Sequence, residues 1–184
     1  MWGLIGDGVR RVLRLDHMSH AMNTIELEHE KIHGGYHFFI CDEATLGDAA
    51  TLDFQLVTPN IGKWVHMTFQ YESTQEILLQ IYEGATVTAD GTSITPYNNN
   101  RNSGNKTIMG LVQSGGTVVG VGNLIYSQRS GVAGNINQQR GGVGKREREI
   151  ILRQGTTYRF LFTSGGAANN FSYAGEWYET ENKN

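Results

Sequence analysis

Residues 63–83 have the sequence KWVHMTFQYESTQEILLQIYE, in which apolar and polar side chains alternate along two runs. The apolar positions of these runs are Val65, Met67, Phe69 and Tyr71, followed by Ile77, Leu79 and Ile81. Alternation of this kind is typical of β-strands that bury one face and leave the other in contact with water. Because a short polar connection at 72–75 separates the two runs, the pattern predicts a β-hairpin.

The same period of two continues on both sides of this stretch. It recurs at Leu52, Phe54 and Leu56, at Tyr158, Phe160 and Phe162, and at Phe171, Tyr173, Gly175 and Trp177. Turn residues separate about eight to ten such runs, and no helical pattern lies between them, which argues against parallel βαβ units. The sequence therefore predicts an all-β fold, an antiparallel two-sheet sandwich of the jelly-roll type.

The chain is predicted to divide into three parts: an N-terminal arm at 1–22, a β-sandwich domain at 23–179 and a flexible tail at 180–184. In the arm, Val9, Val12, Leu13 and Leu15 could line one side of a short helix, with arginines on the opposite side. A helix of this length is not stable alone in water. We therefore expect the arm to dock on its own domain, on a sister subunit or on a partner.

The composition excludes several classes of partner. The 184 residues carry a formal net charge of −3, from 15 basic and 18 acidic residues, with no long run of like charge. This balance does not favour nucleic acid or an anionic membrane as a partner, and the apolar stretches are far shorter than the roughly 20 residues of a membrane span. Cys41 is the single cysteine and follows an apolar run, which predicts a half-buried structural thiol and no internal disulfide.

His29, His33 and His37 are spaced four residues apart. On a helix this spacing would create one metal-binding face, but the glycines at 34–35 would end such a helix before His37. On a strand, His29 and His33 would share a face. They would then either make ordinary hydrogen bonds or belong to a subunit interface that responds to mild acid. We predict no metal ligands and no cofactor.

Two polar segments, 86–106 and 129–145, interrupt the strand pattern and are predicted to be long loops, which in compact domains often carry function. Six polar residues at 97–102 form the densest cluster. They predict either a recognition loop for a protein surface or a sugar, or a loop whose side chains cap its own backbone. The residues expected to bind a partner are those of the arm and of this cluster: Trp2, Leu4, Ile5, Val12, Leu13, Leu15, Tyr97, Asn99 and Arg101.

The sequence contains no recognisable catalytic motif. There is no Gly-x-Ser-x-Gly nucleophile turn, Cys41 stands in no motif, and the carboxylates are scattered along the chain. We therefore expect a protein that is not an enzyme.

Eight short segments follow one another in an order that resembles that of a known protein family. They are HGGYHFF at 33–39, VTPN at 57–60, KWVHMT at 63–68, IYEGA at 81–85, YNNNRNS at 97–103, EIIL at 149–152, TYRF at 157–160 and WYE at 177–179. In this order, which extends over residues 22–179, the chain resembles the head decoration, or cement, proteins of tailed bacteriophages, a family with a jelly-roll-like fold. The shared order carries the resemblance, and the first 20 or so residues lie outside it.

The resemblance implies a virion structural protein that binds the outer surface of the capsid and stabilises it. Its partners would then be the major capsid protein and further copies of itself, as a dimer or a trimer, with no nucleic acid and no membrane involved. It would be made in the host cytoplasm and incorporated into the virion. The alternative is a β-sandwich module that binds carbohydrate in the manner of a lectin, or a receptor-binding module of a virion.

Overall fold

The computed structural model describes residues 2–4, 10–12, 26–131, 140–143 and 149–181, the short pieces at 2–4, 10–12 and 140–143 as backbone alone. The described residues contain one helix, α1 (Leu27–Gly34). The strands are β1 (Trp2–Leu4), β2 (Arg10–Val12), β3 (His37–Leu46), β4 (Thr51–Val57), β5 (Lys63–Ser73), β6 (Ile77–Glu83), β7 (Thr86–Ala89), β8 (Thr92–Ser93), β9 (Tyr97–Asn98), β10 (Leu111–Ser114), β11 (Thr117–Gly120), β12 (Asn123–Ser130), β13 (Arg140–Val143), β14 (Ile150–Leu152), β15 (Thr157–Ser164) and β16 (Asn169–Glu181).

Two large antiparallel sheets face each other. The first sheet has the strand order β12-β6-β15-β4-β10-β8, and the second has the order β13-β5-β16-β3-β9, with β14 also paired to β5. The eight principal strands divide into β12-β6-β15-β4 and β14-β5-β16-β3, so that consecutive strands pass repeatedly from one sheet to the other. This is the connectivity of a jelly roll. The predicted all-β antiparallel sandwich is confirmed.

The predicted hairpin at 63–83 is wrong. Strand β5 pairs with β16, β13 and β14 in the second sheet, whereas β6 pairs with β12 and β15 in the first. The short connection at 74–76 therefore crosses from one sheet to the other. Each strand has an apolar face that is buried in the core whether the two strands lie in the same sheet or in opposite sheets. Alternation alone therefore does not distinguish a hairpin from a crossing between the sheets.

The core lies between the inner faces of the two sheets. Phe54 of the first sheet stacks on its neighbour Phe160, with ring centroids 4.5 Å apart, and on Tyr173 of the second sheet, at 4.8 Å. A second contact across the core joins Phe162 and Phe171, at 4.6 Å. The inward faces predicted from alternation are confirmed by the burial of Val65, Met67, Phe69, Tyr71, Ile77, Leu79, Ile81, Phe54, Leu56, Tyr158, Phe160, Phe162, Phe171, Tyr173 and Trp177.

The segments predicted to be long loops contain short strands. In the first segment, β7 pairs with β11, β8 with β10 and β9 with β3. In the second, β13 pairs with the edge of β5. These strands have two to four residues. They are held by backbone hydrogen bonds that polar residues and glycine can also make, so they leave no apolar alternation in the sequence.

The N-terminal part also differs from the prediction. Residues 10–12, expected in a helix, form β2 and pair with β1, so that Trp2 is opposite Val12. Pairing satisfies backbone groups that so short a helix would leave exposed to water. Ile5, Leu13 and Leu15 of the predicted arm lie outside the described residues. At the other end, β16 continues through Glu181, two residues beyond the predicted domain boundary.

The helix α1 lies at the start of the stretch that was predicted to form the β-sandwich domain. It has acidic residues in its first turn and basic residues in its last turn, an arrangement that complements the helix dipole. Gly35 ends the helix in the left-handed conformation, with φ of 72°. The glycines thus terminate the helix where the sequence predicted, and His37 follows as the first residue of β3.

The inward orientation of β5 leads to a testable prediction. Phe69→Ala removes a ring that contacts Phe160 and Tyr126 edge to face, and we expect unfolding free energy to fall by about 3–5 kcal/mol. Phe39→Ala is the matched control, because Phe39 lies on the outer face of β3 and is partly exposed. Urea denaturation of both variants measures the difference. Equal losses in the two variants would contradict the assignment of inner and outer faces.

Candidate functional site

The helix α1 covers one end of the outer face of the second sheet, beside the beginning of β3 and the end of β16. In α1, all eight residues of which are described, no side chain is fully buried. Apolar packing therefore contributes little to holding the helix in place, since helices in proteins depend mainly on burial of an apolar face. Polar contacts from a neighbouring segment replace it.

That segment is the asparagine loop, residues 97–105. The amide of Asn98 donates to the backbone oxygen of Gly35 at 2.9 Å, and the amide of Asn100 donates to that of His33 at 2.9 Å. The amide of Asn105 donates to the backbone oxygen of Gly34 at 3.2 Å. These side chains satisfy carbonyl groups that the end of a helix leaves without partners. These amides cap the end of α1, whereas the predicted capping of the loop's own backbone comes from the side-chain oxygens of Asn98 and Asn100, which accept from the N–H groups of Asn100 and Asn102.

The predicted partner-binding residues of the loop have separate environments. Tyr97 and Arg101 are exposed, with the Arg101 guanidinium 5.2 Å from the centre of the Tyr97 ring. Asn99 is half-buried, and its amide nitrogen lies 2.8 Å from Nδ1 of His37. The structure therefore places Tyr97 and Arg101 together at the surface, while Asn99 belongs to a half-buried polar cluster.

The centre of that cluster is His37, which is 1% exposed. Its Nε2 lies 3.3 Å from Oε1 of Glu28 in the first turn of α1. Glu176 of β16 also faces it, and one ligand atom from each of Glu28, His37 and Glu176 lies within 4.8 Å of the other two. We call these three residues the Glu–His–Glu cluster. Asn99 lies at Nδ1 and Glu28 at Nε2, so the two ring nitrogens of His37 have different partners, and the orientation of the Asn99 amide decides which nitrogen carries the proton.

An aromatic row extends from His37 across the outer face. The ring of Tyr178 lies between those of His37 and His66, at centroid distances of 6.3 Å and 4.6 Å. Glu149 is bonded to two of these residues: Oε1 lies 2.5 Å from Nδ1 of His66, and Oε2 accepts the Tyr178 hydroxyl at 2.8 Å. Three strands, β3, β16 and β5, each supply one ring. Residues far apart in the sequence thereby form one polar layer.

His29 and His33 lie together on an exposed part of α1. Their rings stack at 4.7 Å, and their Nε2 atoms are 2.9 Å apart. The sequence predicted that His29 and His33 would share a face if residues 29–33 formed a helix, and these residues lie in α1. Together with Glu30 they match the pattern H-E-x-x-H, a signal that points to paired histidine ligands but needs a third ligand. Among the described residues, no further histidine, cysteine or carboxylate joins this pair in a group of three.

Cys41 is exposed, which corrects the expectation of a half-buried thiol. In β3, Phe38 and Ile40 face the core, so Cys41 faces outward. It borders a shallow depression of about 600 Å³ on the outer face of the second sheet, together with polar residues that include Glu43, Glu72 and Ser172. The aromatic residues bordering the depression, Tyr71 and Tyr173, are buried and face the core. The depression therefore offers hydrogen-bonding groups and no exposed aromatic ring among its described residues.

Glu179 connects the segment after the asparagine loop to β16. Its Oε1 accepts hydrogen bonds from the Thr107 hydroxyl at 2.6 Å and from the Ile108 backbone N–H at 2.9 Å. Thr107 in turn accepts from the Trp177 indole N–H at 3.1 Å. Burial raises the pKa of Glu179, and the hydrogen bonds oppose that shift without cancelling it. The buried carboxylate is therefore retained at a cost in desolvation.

Comparison with known proteins adds no relative: neither the protein-family models nor the curated proteins searched include a match to this chain. Within the part of the chain that is described, no helix is long and apolar enough to cross a membrane.

Gly35 provides a test of how closely the asparagine loop packs on the end of α1. A Cβ at Gly35 would lie 2.6 Å from the Cβ of Ser103. Gly84→Ala is the matched control, because Gly84 has a similar φ of 76° and open space around it. We expect Gly84→Ala to reduce stability by about 1–2 kcal/mol through backbone strain, and Gly35→Ala to reduce it further. Thermal unfolding gives both values, and equal losses would show that the contact with Ser103 is easily relieved.

The raised pKa of Glu179 predicts a pH dependence of stability. The carboxyl group of Glu179 holds its proton more tightly in the folded protein than in the unfolded chain. Its contribution to the stability of the fold is therefore largest below the usual pKa of glutamate and is lost as the pH rises through the raised pKa. Glu179→Gln keeps the accepting oxygen and removes the charge. We therefore expect the stability of the wild type relative to Glu179→Gln to fall as the pH rises from below the usual pKa of glutamate through the raised pKa.

Urea midpoints across that pH range measure this difference, and a constant difference would contradict the prediction. Glu179→Ala is the companion variant. It leaves the Thr107 hydroxyl and the Ile108 N–H without their acceptor, and we expect a loss of about 1–3 kcal/mol at every pH.

Proposed function

We propose that this chain is a non-enzymatic virion structural protein that binds the outer surface of a capsid and stabilises the shell, as a decoration or cement protein. The proposal rests on the order of segments over residues 22–179, which resembles that of phage head decoration proteins. The jelly-roll connectivity of the two sheets is the fold that this resemblance implies. Its partners would be the major capsid protein and further copies of the chain, as a dimer or a trimer.

The structural observation that supports a contact surface is an apolar strip at 119–125. Its four large apolar side chains, Val119, Val121, Leu124 and Ile125, are between 44% and 63% exposed. Single exposed apolar residues are normal on a protein surface, but a concentration of them marks a surface that contacts another molecule. The strip extends from β11 to β12, and β12 is an edge strand of the first sheet. We infer that this edge contacts the shell or a neighbouring copy.

A lattice of binding sites suits a small contact of this kind. Each copy can bind weakly, because an oligomer that engages several sites gains affinity through effective concentration. The apolar residues Trp2, Leu4 and Val12 of the predicted N-terminal arm would supply additional apolar contacts for docking. The proposal assigns no reaction to the chain. His37 contacts Glu28 and Asn99, and Glu149 is bonded to His66 and Tyr178, which suits a structural role.

A second candidate function is binding of a glycan or a cell-surface receptor. The observation in its favour is the exposed Tyr97 ring, which is 47% exposed and lies beside Phe39 and Arg101. An exposed aromatic ring beside a cation can stack on a sugar or on a protein surface. Most amides of the asparagine loop are already bonded within the chain, so Tyr97 and Arg101 would provide the recognition.

Co-sedimentation with capsids that lack the protein tests the first proposal. We expect the wild type to saturate the particles, and we expect Leu124→Asp to reduce occupancy at least tenfold, because a buried unpaired carboxylate opposes docking. Ile61→Asp is the matched control, since Ile61 is 47% exposed on a turn outside the strip. Removal of residues 1–20 tests the arm in the same assay. A wild-type chain that fails to sediment with the particles would refute the proposal.

Binding to a glycan array distinguishes the second candidate. If that candidate is right, the wild type binds defined glycans and Tyr97→Ala loses them, while Leu124→Asp binds as the wild type does. A silent array rules out the glycan form of this candidate.

A further inference from the structure

We propose that the Glu–His–Glu cluster is a binding site for a divalent transition-metal ion, for which Zn²⁺ is the best-suited probe. The site goes beyond the proposed capsid function and does not depend on it. Its three ligands come from three different elements: Glu28 from α1, His37 from β3 and Glu176 from β16. An ion bound there would connect the helix to two adjacent strands of the second sheet.

The register of β3 and β16 brings two of the ligands together. His37 is opposite Tyr178, and Glu176 lies two residues before Tyr178 on β16, so His37 and Glu176 are diagonal neighbours on the outer face of the second sheet. The first turn of α1 then places Glu28 above them, with Oε1 3.3 Å from Nε2 of His37. Two carboxylates close to one largely buried imidazole repel each other, and a bound cation would offset that repulsion.

The distances fit a zinc ion after a small adjustment. Zinc binds imidazole nitrogen at about 2.0–2.1 Å and carboxylate oxygen at about 2.0–2.2 Å, which separates the ligand atoms of a tetrahedron by roughly 3.4 Å. His37 and Glu28 already have this separation. The three ligand atoms lie within 4.8 Å of one another, so Glu176 has to approach by at most about 1.4 Å relative to the zinc geometry, which rotation of a glutamate side chain provides.

The surroundings of His37 also suit a metal ligand. A metal bound to Nε2 requires the proton on Nδ1, and a metal-binding histidine usually donates that proton to a second group. Asn99 is 2.8 Å from Nδ1, and reversal of its amide presents the oxygen as acceptor. The Glu28 side chain is 31% exposed, so an ion can enter from solvent and water can complete the coordination.

The expected consequence is a clamp on α1. This helix has no fully buried side chain among its eight described residues and is held by polar contacts. Binding of an ion to the folded state alone stabilises that state in proportion to the logarithm of ion concentration. We therefore expect zinc to raise the unfolding temperature and to slow amide exchange within α1.

The experiment has to separate this site from the His29–His33 pair, whose two Nε2 atoms could also bind zinc. The full chain, stripped of metal by a chelator, is therefore prepared with His29→Ala and His33→Ala together, and zinc chloride is titrated by calorimetry. Into this background we introduce Glu176→Gln, Glu28→Gln or, as matched control, Glu30→Gln. Glu30 is an exposed helix carboxylate whose side chain is 55% exposed. Circular dichroism confirms that each variant is folded.

We expect the background chain and its Glu30→Gln derivative to bind zinc equally, with a higher unfolding temperature and slower exchange in α1. Glu176→Gln and Glu28→Gln should each weaken the binding at least tenfold and abolish the thermal shift. The two carboxylate variants give independent readings if one of them does not fold. Absence of zinc binding in the background chain, or unchanged affinity in a folded Glu176→Gln or Glu28→Gln variant, would overturn the proposal.

Discussion

Phe54 stacks on Phe160 within its own sheet and on Tyr173 of the opposite sheet, and the rest of the molecule is arranged around this contact across the core. Each ring is buried only if both sheets present their apolar faces inward at the same level. That requirement decides which residues of β3, β5 and β16 face outward. The outward positions therefore collect the polar and titratable groups, among them His37, His66 and Glu176. The candidate site is a consequence of how the core is closed.

The outer surface of the second sheet uses a different kind of stabilisation. The helix α1 is short and buries no complete side chain among its described residues, so hydrogen bonds from the asparagine loop take the place of apolar packing. Such contacts hold geometry well but contribute little net stability each. A helix held in this way is sensitive to any ligand that binds it together with the sheet. For this reason, a metal ion at the Glu–His–Glu cluster would stabilise the whole helix and not only the residue that it contacts.

The proposed partner surface and the proposed metal site lie on different sheets. The apolar strip belongs to the terminal strand of the first sheet and to the segment before it, whereas the cluster lies on the outer face of the second. A capsid-binding role needs exposed apolar area, which a charged cluster does not supply. The cluster instead lies at the end of the domain where the asparagine loop contacts His37 through Asn99. The two proposals can therefore succeed or fail separately.

Alternation at Val65–Tyr71, Tyr158–Phe162 and Phe171–Trp177 determined the strands and their inward faces, because a period of two is a local property of the chain. Gly34 and Gly35 likewise determined where a helix bearing His29 and His33 must end. Alternation did not reveal that β5 and β6 belong to different sheets, because the apolar face of a strand is buried equally well when the next strand lies in the same sheet or in the opposite sheet. It also did not reveal that Glu28, His37 and Glu176 converge. Their proximity depends on strand register and helix docking, which are long-range and are set by the core as a whole. Only the tertiary structure could decide them.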